Sequence, residues 1–356
     1  MELEKKGKCK IDCSNCRYFR NICSGCLRTK PCLIDQCIKG ISYTGITHPT
    51  AFCRLRTYCS IGEKQRPAPE QVPSTGFRSR TKIGLPVFIP IISVMDRRSW
   101  FWNDFQLPMI VVGLAELIAK HDILSQASKT GLHDFLGYDG RIILSTIMPD
   151  ELIDELEHKD YLRLITELKP DVTMIPDNYT YFDDPLYLSW SQTIRLARNA
   201  FSFLELEMPV IALIKGAVPD QVSWSMQRLI EMGYVTFALP ARELSQSNLL
   251  DLVTIMALRA LKENKSDAEL MLYGRTYKFW RLKKASHANL SWFLEAKAGA
   301  YFKGGIPYDI TDTNIRFERC DCEACRGKMA QDLVGDVRAI ALHNLLDLNR
   351  ALGGSR

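Results

Sequence analysis

The sequence predicts an α/β fold, a closed (β/α)8 barrel, and three observations predict it. Eight short apolar runs, rich in β-branched and aromatic residues, alternate with longer amphipathic stretches between Leu85 and Leu294. Such alternation implies parallel strands joined by crossover helices. Eight repeats in about 210 residues suit a barrel, whose reactive residues sit at the C-terminal ends of the strands. No glycine-rich nucleotide fingerprint follows any run, which argues against an open doubly wound sheet.

Residues 1–60 form a head and residues 61–83 a linker, and both differ sharply from the rest of the chain. Residues 1–82 hold 16 Lys and Arg against 6 Asp and Glu, whereas residues 83–356 hold 30 against 35. Nine of the twelve cysteines lie between Cys9 and Cys59, and the remaining three between Cys320 and Cys325. The linker carries Pro67, Pro69, Pro73, Gly62 and Gly76 among polar residues and shows no apolar periodicity.

The barrel is expected over residues 84–310. Its strand candidates are Leu85–Ile92, Pro108–Leu114, Arg141–Ser145, Val172–Pro176, Val210–Ile214, Tyr234–Leu239, Glu269–Leu272 and Leu290–Leu294. Helices are expected at Asp150–Leu156, Ser189–Leu204, Ser223–Met232 and Leu249–Lys262. Residues 311–356 form a metal-binding subdomain. There Cys320-Asp-Cys-Glu-Ala-Cys325 is separated by seventeen residues from His343, which lies in the expected helix Val337–Leu348. Cys320, Cys322, Cys325 and His343 offer three thiolates and an imidazole. That is the donor set of a closed tetrahedral zinc site, with no position left for water.

The overall composition, 46% apolar and 24% charged, is that of a globular protein and excludes collagen, coiled coil and bulk disorder. No run of eighteen apolar residues occurs, so no membrane partner is expected. Met1–Lys10 lacks an apolar signal core, so a cytoplasmic location is expected.

Clustered cysteines in a cytosolic chain point to metal ligation ahead of disulfides. Cys9, Cys13, Cys16, Cys23, Cys26, Cys32, Cys37, Cys53 and Cys59 exceed one four-ligand site and would fill two. The paired hooks Cys13-x2-Cys16 and Cys23-x2-Cys26 suit zinc, while the irregular later spacings suit one or two [4Fe–4S] clusters. Cys9-x3-Cys13-x2-Cys16 also has radical-SAM spacing, but no strand precedes it and Asn15 stands where an aromatic is usual. Lys8, Lys10, Arg17, Arg20, Arg28 and Lys30 make the head a candidate phosphate-binding surface, and nucleic acid is the expected partner.

Several segments, in order, resemble the tRNA-guanine transglycosylase superfamily. Leu85-Pro-Val-Phe-Ile-Pro90 resembles its first strand. Gly131-Leu-His-Asp-Phe-Leu-Gly-Tyr-Asp-Gly140 is close to its Gly-Leu-His…Trp-Asp-Gly segment, with Tyr138 for tryptophan. Pro170-Asp-Val-Thr-Met-Ile-Pro-Asp177 resembles the strand that ends in a base-recognising aspartate, and Thr193-Ile-Arg-Leu-Ala-Arg198 the helix after it. Ala341-Leu-His-Asn-Leu345 is like the zinc-histidine helix of archaeal members. The resemblance covers about residues 84–350. It implies base exchange at a ribose: one aspartate attacks C1′ and expels guanine, a second does acid/base work, and a 7-deazaguanine enters. It also implies tRNA ahead of DNA as the nucleic acid, and a homodimer or a heterodimer with a catalytic homologue.

The chain departs from that pattern where the chemistry would lie. Ser145 stands at the acid/base aspartate, and Ile147 and Met148 at the glycines after it. Ala288 or Ser291, depending on register, stands at the nucleophile. Lys215-Gly-Ala217 replaces a Gln-Gly-Gly-like turn. Asp177 keeps its place and, with Lys215, is the candidate for base binding; Lys297 aligns with a basic residue near the nucleic acid. The resemblance therefore leaves three expectations: a divergent pentosyltransferase, a non-catalytic nucleic-acid-binding subunit, or a metal- or iron–sulfur-dependent base-modifying enzyme.

Overall fold

The computed structural model describes residues 81–102, 107–180, 186–216, 219–241, 261, 268–274 and 285–353. Eight strands close into a barrel in sequence order, each parallel to its neighbours. They are β1 Phe88–Ile92, β2 Met109–Gly113, β3 Arg141–Ser145, β4 Val172–Met174, β5 Val210–Leu213, β6 Thr236–Pro240, β7 Glu269–Tyr273 and β8 Ser286–Asn289. Residues in the central strands are buried whether they face the lumen or the helices, so the runs read as continuously apolar rather than alternating.

The described helices are α1 Leu114–Ile118, α2 His121–Thr130, α3 Leu132–Leu136, α4 Asp150–Glu155, α5 His158–Leu168, α6 Leu186–Ser202, α7 Pro219–Glu231, α8 Ser291–Lys297 and α9 Val337–Ala351. The chain forms α5 for clear local reasons. Asp160 accepts a hydrogen bond from the amide of Glu157 at 3.0 Å, closing the first turn. Tyr161, Leu164, Ile165 and Leu168 bury one stripe, and Lys169, left-handed at φ 48°, ends the helix before Pro170.

The eighth strand lies earlier than the apolar run Leu290–Leu294. The strand is the unassuming Ser286-His-Ala-Asn289, and Ser291 already opens α8. The sequence pattern misleads here for a physical reason. Barrel closure holds β8 between β7 and β1, pairing Ala288 with both Tyr273 and Ile89. The apolarity of the later run comes instead from Trp292 and Phe293, which α8 buries in the core. The expected helix at Leu249–Lys262 lies outside the described residues except for Leu261.

The floor of the barrel is a clamp. Arg141 of β3 donates to the carbonyls of Ile83 at 2.6 Å and Gly84 at 3.2 Å. Glu269 of β7 accepts from the amides of Ile83, Gly84 and Leu85 at 3.0–3.2 Å and from the Thr236 hydroxyl at 3.0 Å. Residues 83–85 thus cross the N-terminal end as a lid, and the clamped segment starts one residue before the expected barrel boundary. His133 lies on this lower face, bonded to Asp171 at 3.0 Å and to the carbonyl of Tyr138 at 2.7 Å, remote from the strand C-termini. Among the aromatics after β1, Phe101 is fully buried against Trp292, and Trp100 stacks on Trp102.

Past the barrel, β9 Ala300–Lys303 and β10 Ile306–Asp309 form an antiparallel hairpin. Its two-residue turn is Gly304-Gly305, both at positive φ (62° and 80°), the geometry that favours glycine at both central positions. No described helix is long and apolar enough to cross a membrane.

Candidate metal centre and barrel mouth

The hairpin, the loop after it and α9 assemble Cys320, Cys322, Cys325 and His343 into one cluster whose ligand atoms all lie within 4.8 Å of one another. His343 Nδ1 stands 3.6, 3.4 and 3.3 Å from the sulfurs of Cys320, Cys322 and Cys325. A tetrahedral ion with bonds of about 2.3 Å to sulfur and about 2.0 Å to nitrogen sets that separation near ~3.5 Å. The cluster therefore fits a metal such as zinc.

Three local features build it. The loop folds on its own backbone: the amides of Cys325 and Arg326 donate to the Cys322 carbonyl, and that of Gly327 to Cys320. His343 Nε2 lies 2.8 Å from the Phe302 carbonyl, which accepts its hydrogen bond and leaves the Nδ1 lone pair facing the sulfurs. Tyr301 stacks on the imidazole at 3.7 Å with its hydroxyl 3.4 Å from Cys325 Sγ. Next to His343, the fully buried Asn344 accepts from the Phe302 amide at 2.8 Å and donates to the carbonyls of Trp292 and Ala300. One residue thus binds α9 to α8 and the hairpin.

The three thiols compete for protons. A hydrogen bond from Cys325 holds the Cys322 thiol well below the ordinary thiol range. Cys325, the donor to Cys322 and itself buried, is pushed up. A cation would relieve that competition by taking all three sulfurs as thiolates.

The barrel mouth holds a second polar group. Asp177, three residues past β4, and Lys215, two past β5, form a pair with Nζ 2.8 Å from Oδ1. Asp177 is 4% exposed and Lys215 6%. Lys215 also donates to the Asn178 carbonyl, and the Asn178 amide donates to Asp177 at 2.8 Å. Burial pushes the Asp177 carboxyl up, opposed by the ammonium of Lys215 and by the amides of Asn178 and Met148. Gly216 lets this turn approach α7: a Cβ there would stand 2.7 Å from Gln221 Cβ and from the Val222 amide nitrogen. The two residues expected to bind the base are thus in contact with each other.

Ser145 and Ala288 lie at the C-terminal ends of β3 and β8, and both are fully buried. Ser145 Oγ accepts from the Ile147 amide at 3.2 Å. Ser291 is occupied locally, its hydroxyl 2.6 Å and its amide 3.1 Å from Asn289 Oδ1. Burial pushes the Tyr273 phenol up to about 12, and the charges of Asp177 and Glu116 add to it. Lys297 stands apart on α8, 3.2 Å from Asp96 and 5.5 Å from the Phe293 ring centre. Asp96 is held well below the usual carboxylate range, first by Arg98 at 2.7 Å and then by Lys297.

Two residues at the mouth escaped the sequence reading. Glu116, in α1 directly after β2, accepts from Ser93 Oγ and from the Val94 amide. Tyr273 ends β7, one residue past the expected seventh run. Nothing in their local sequence marks either one, because only barrel closure brings β1, β2, β3 and β7 together. The nine N-terminal cysteines and the basic residues Lys8, Lys10, Arg17, Arg20, Arg28 and Lys30 lie outside the described residues. In comparisons with known proteins, no family model matches the chain and no curated protein matches it.

Proposed function

We propose that this chain is a transglycosylase-type barrel that binds nucleic acid and serves 7-deazaguanine-type base modification as a subunit lacking the base-exchange carboxylates. The observation that carries this reading is the burial of Ser145 and Ala288 at the two strand ends where, by the sequence resemblance, a base-exchange enzyme needs aspartates. A hydroxyl bound to its own backbone turn and a methyl group supply neither a nucleophile nor a proton acceptor. Asp177, the remaining carboxylate of the pattern, is tied to Lys215. The chain keeps other parts that the resemblance implies: a closed barrel, then a three-cysteine loop and a helix bearing the histidine.

Zinc is the metal we assign to that cluster. Cys320, Cys322, Cys325 and His343 would hold it with no coordination position open, so its contribution is to fasten α9 to the hairpin. The basic head supports tRNA as the partner, and a catalytic homologue would supply the exchange chemistry.

One observation favours a second reading, an active divergent pentosyltransferase. Glu116 places a carboxylate at the β1–β2 edge of the mouth, near enough for its charge to act on Tyr273. Incubation with labelled guanine and tRNA or DNA, with and without a catalytic homologue, separates the two. Incorporation by the chain alone supports the second reading; incorporation only with the partner supports the first.

A further inference from the structure

Residues 83–356 carry more acid than base, 35 against 30, yet four cations converge on one short segment, residues 96–101. Arg97 and Arg98 belong to that segment, Lys297 ends α8, and Arg338 stands in the first turn of α9. Arg98 and Lys297 share one carboxylate, Asp96, at 2.7 Å and 3.2 Å. A single negative charge offsets only one of the two. The Arg97 guanidinium lies 5.3 Å from the ring centre of Trp100. That of Arg338 lies 4.8 Å from the ring centre of Phe101 and donates to the Trp100 carbonyl at 3.4 Å. A ring face holds a guanidinium in place without cancelling its charge. Asp336, two residues before Arg338, is taken up as the cap of α9, accepting from the Ala339 amide at 3.0 Å. The frame beneath is anchored: Ser99 and Phe101 are fully buried, and the Ser99 hydroxyl bonds to both the amide and the carbonyl of Ser93. The four cations themselves are exposed, the Arg98 and Lys297 side chains by 54% and 43%.

We infer that this cluster is a phosphate-binding surface on the barrel body, a nucleic-acid contact additional to the basic head. The inference rests on the proposed function and adds to it the place where the folded barrel touches its partner. Two observations favour nucleic acid over a membrane or an acidic protein. Three of the four cations are arginines, whose planar fork matches phosphate oxygens. They also stand on a folded frame, at spacings set by three elements, and contacts of that kind fix the register of a phosphate backbone.

The test uses the full-length protein with total tRNA and a duplex DNA, read by filter binding across a salt series. The Arg97→Ala/Arg98→Ala/Lys297→Ala variant, checked for native circular dichroism, should bind tRNA at least about tenfold more weakly at low salt, and the slope of log K against log salt should become shallower by about two. Arg98→Ala and Lys297→Ala alone should each make it shallower by about 0.7–0.9, and they decide the matter where the triple variant does not fold. Lys159→Ala, which removes an exposed cation of α5, should keep the wild-type slope. An unchanged slope in the folded variants of the cluster, or as large a change in Lys159→Ala, overturns the surface and leaves the proposed function standing. Loss of binding to phosphatidylserine vesicles, with tRNA and DNA binding unchanged, overturns it in favour of a membrane. Failure of the wild type to hold either nucleic acid removes the proposed function and this surface with it.

Discussion

Lys215 Nζ lies 2.8 Å from Asp177 Oδ1 at the C-terminal end of the barrel, with each side chain no more than 6% exposed. A buried charge stripped of its partner is costly, about 3–5 kcal/mol, far more than an exposed pair is worth. Lys215→Met should therefore destabilise the protein by about that amount at pH 8. The variant loses the main influence holding the carboxyl down, so burial raises Asp177 further. A carboxyl raised in the folded state binds more protons there than in the unfolded chain. Its contribution to stability is full below the unfolded value of about 3.9 and is lost as the pH rises through the folded value. The stability deficit should hence shrink from pH 8 toward pH 5. Urea unfolding at the two pH values measures it, and a deficit independent of pH would mean that Asp177 does not carry the cost.

The metal cluster should govern one end of the molecule only. Chelation, or His343→Ala, should remove about one equivalent of metal, the number a single four-ligand site holds. Hydrogen exchange would then rise in the hairpin and α9, whose link through Phe302 and His343 is cut, while β2–β4 keep their protection. Exchange rising equally in the central strands would show that the metal holds the whole barrel together.

Asn344 makes three hydrogen bonds at zero exposure. Asn344→Ala leaves the Phe302 amide and two carbonyls without that partner, at a cost of about 2–4 kcal/mol. Chemical denaturation should show this loss with metal content unchanged, since Asn344 is not a ligand. Loss of metal together with stability would mean that Asn344 acts through His343.

Much of this was legible in the sequence, and the parts that were not share a cause. The barrel could be read because strands buried on both faces stay apolar, and the Cys320–Cys325 cluster because three cysteines within six residues have few other uses. The eighth strand could not: Ser286–Asn289 is polar and small, and only pairing with β7 and β1 makes it a strand. Asp177 and Lys215 were visible one by one, but their contact depends on β4 and β5 lying side by side with their loops turned inward. Tyr273 and Glu116 were invisible because strand closure, and no local spacing, gives them their neighbours. The residue clamp on the floor shows the same rule, since Arg141 and Glu269 meet residues 83–85 across 57 to 186 positions of sequence.

That clamp gives a fourth expectation. Glu269→Ala removes an acceptor shared by three backbone amides and the Thr236 hydroxyl. Stability should fall by about 2–3 kcal/mol, and limited proteolysis should open first near Ile83–Leu85. Cleavage elsewhere, with that segment still protected, would show that Arg141 alone holds the lid.

On the proposed function, the chain holds nucleic acid without exchanging its bases. One full-length sample followed through two readouts tests both halves of that statement: tRNA retention on a filter across a salt series, and incorporation of labelled guanine into the same tRNA. Retention should weaken steeply with salt, as counterion release by a basic head requires. Incorporation by the chain alone should stay at background. Incorporation by the chain alone, or no retention of tRNA or of DNA at low salt, would contradict the proposal.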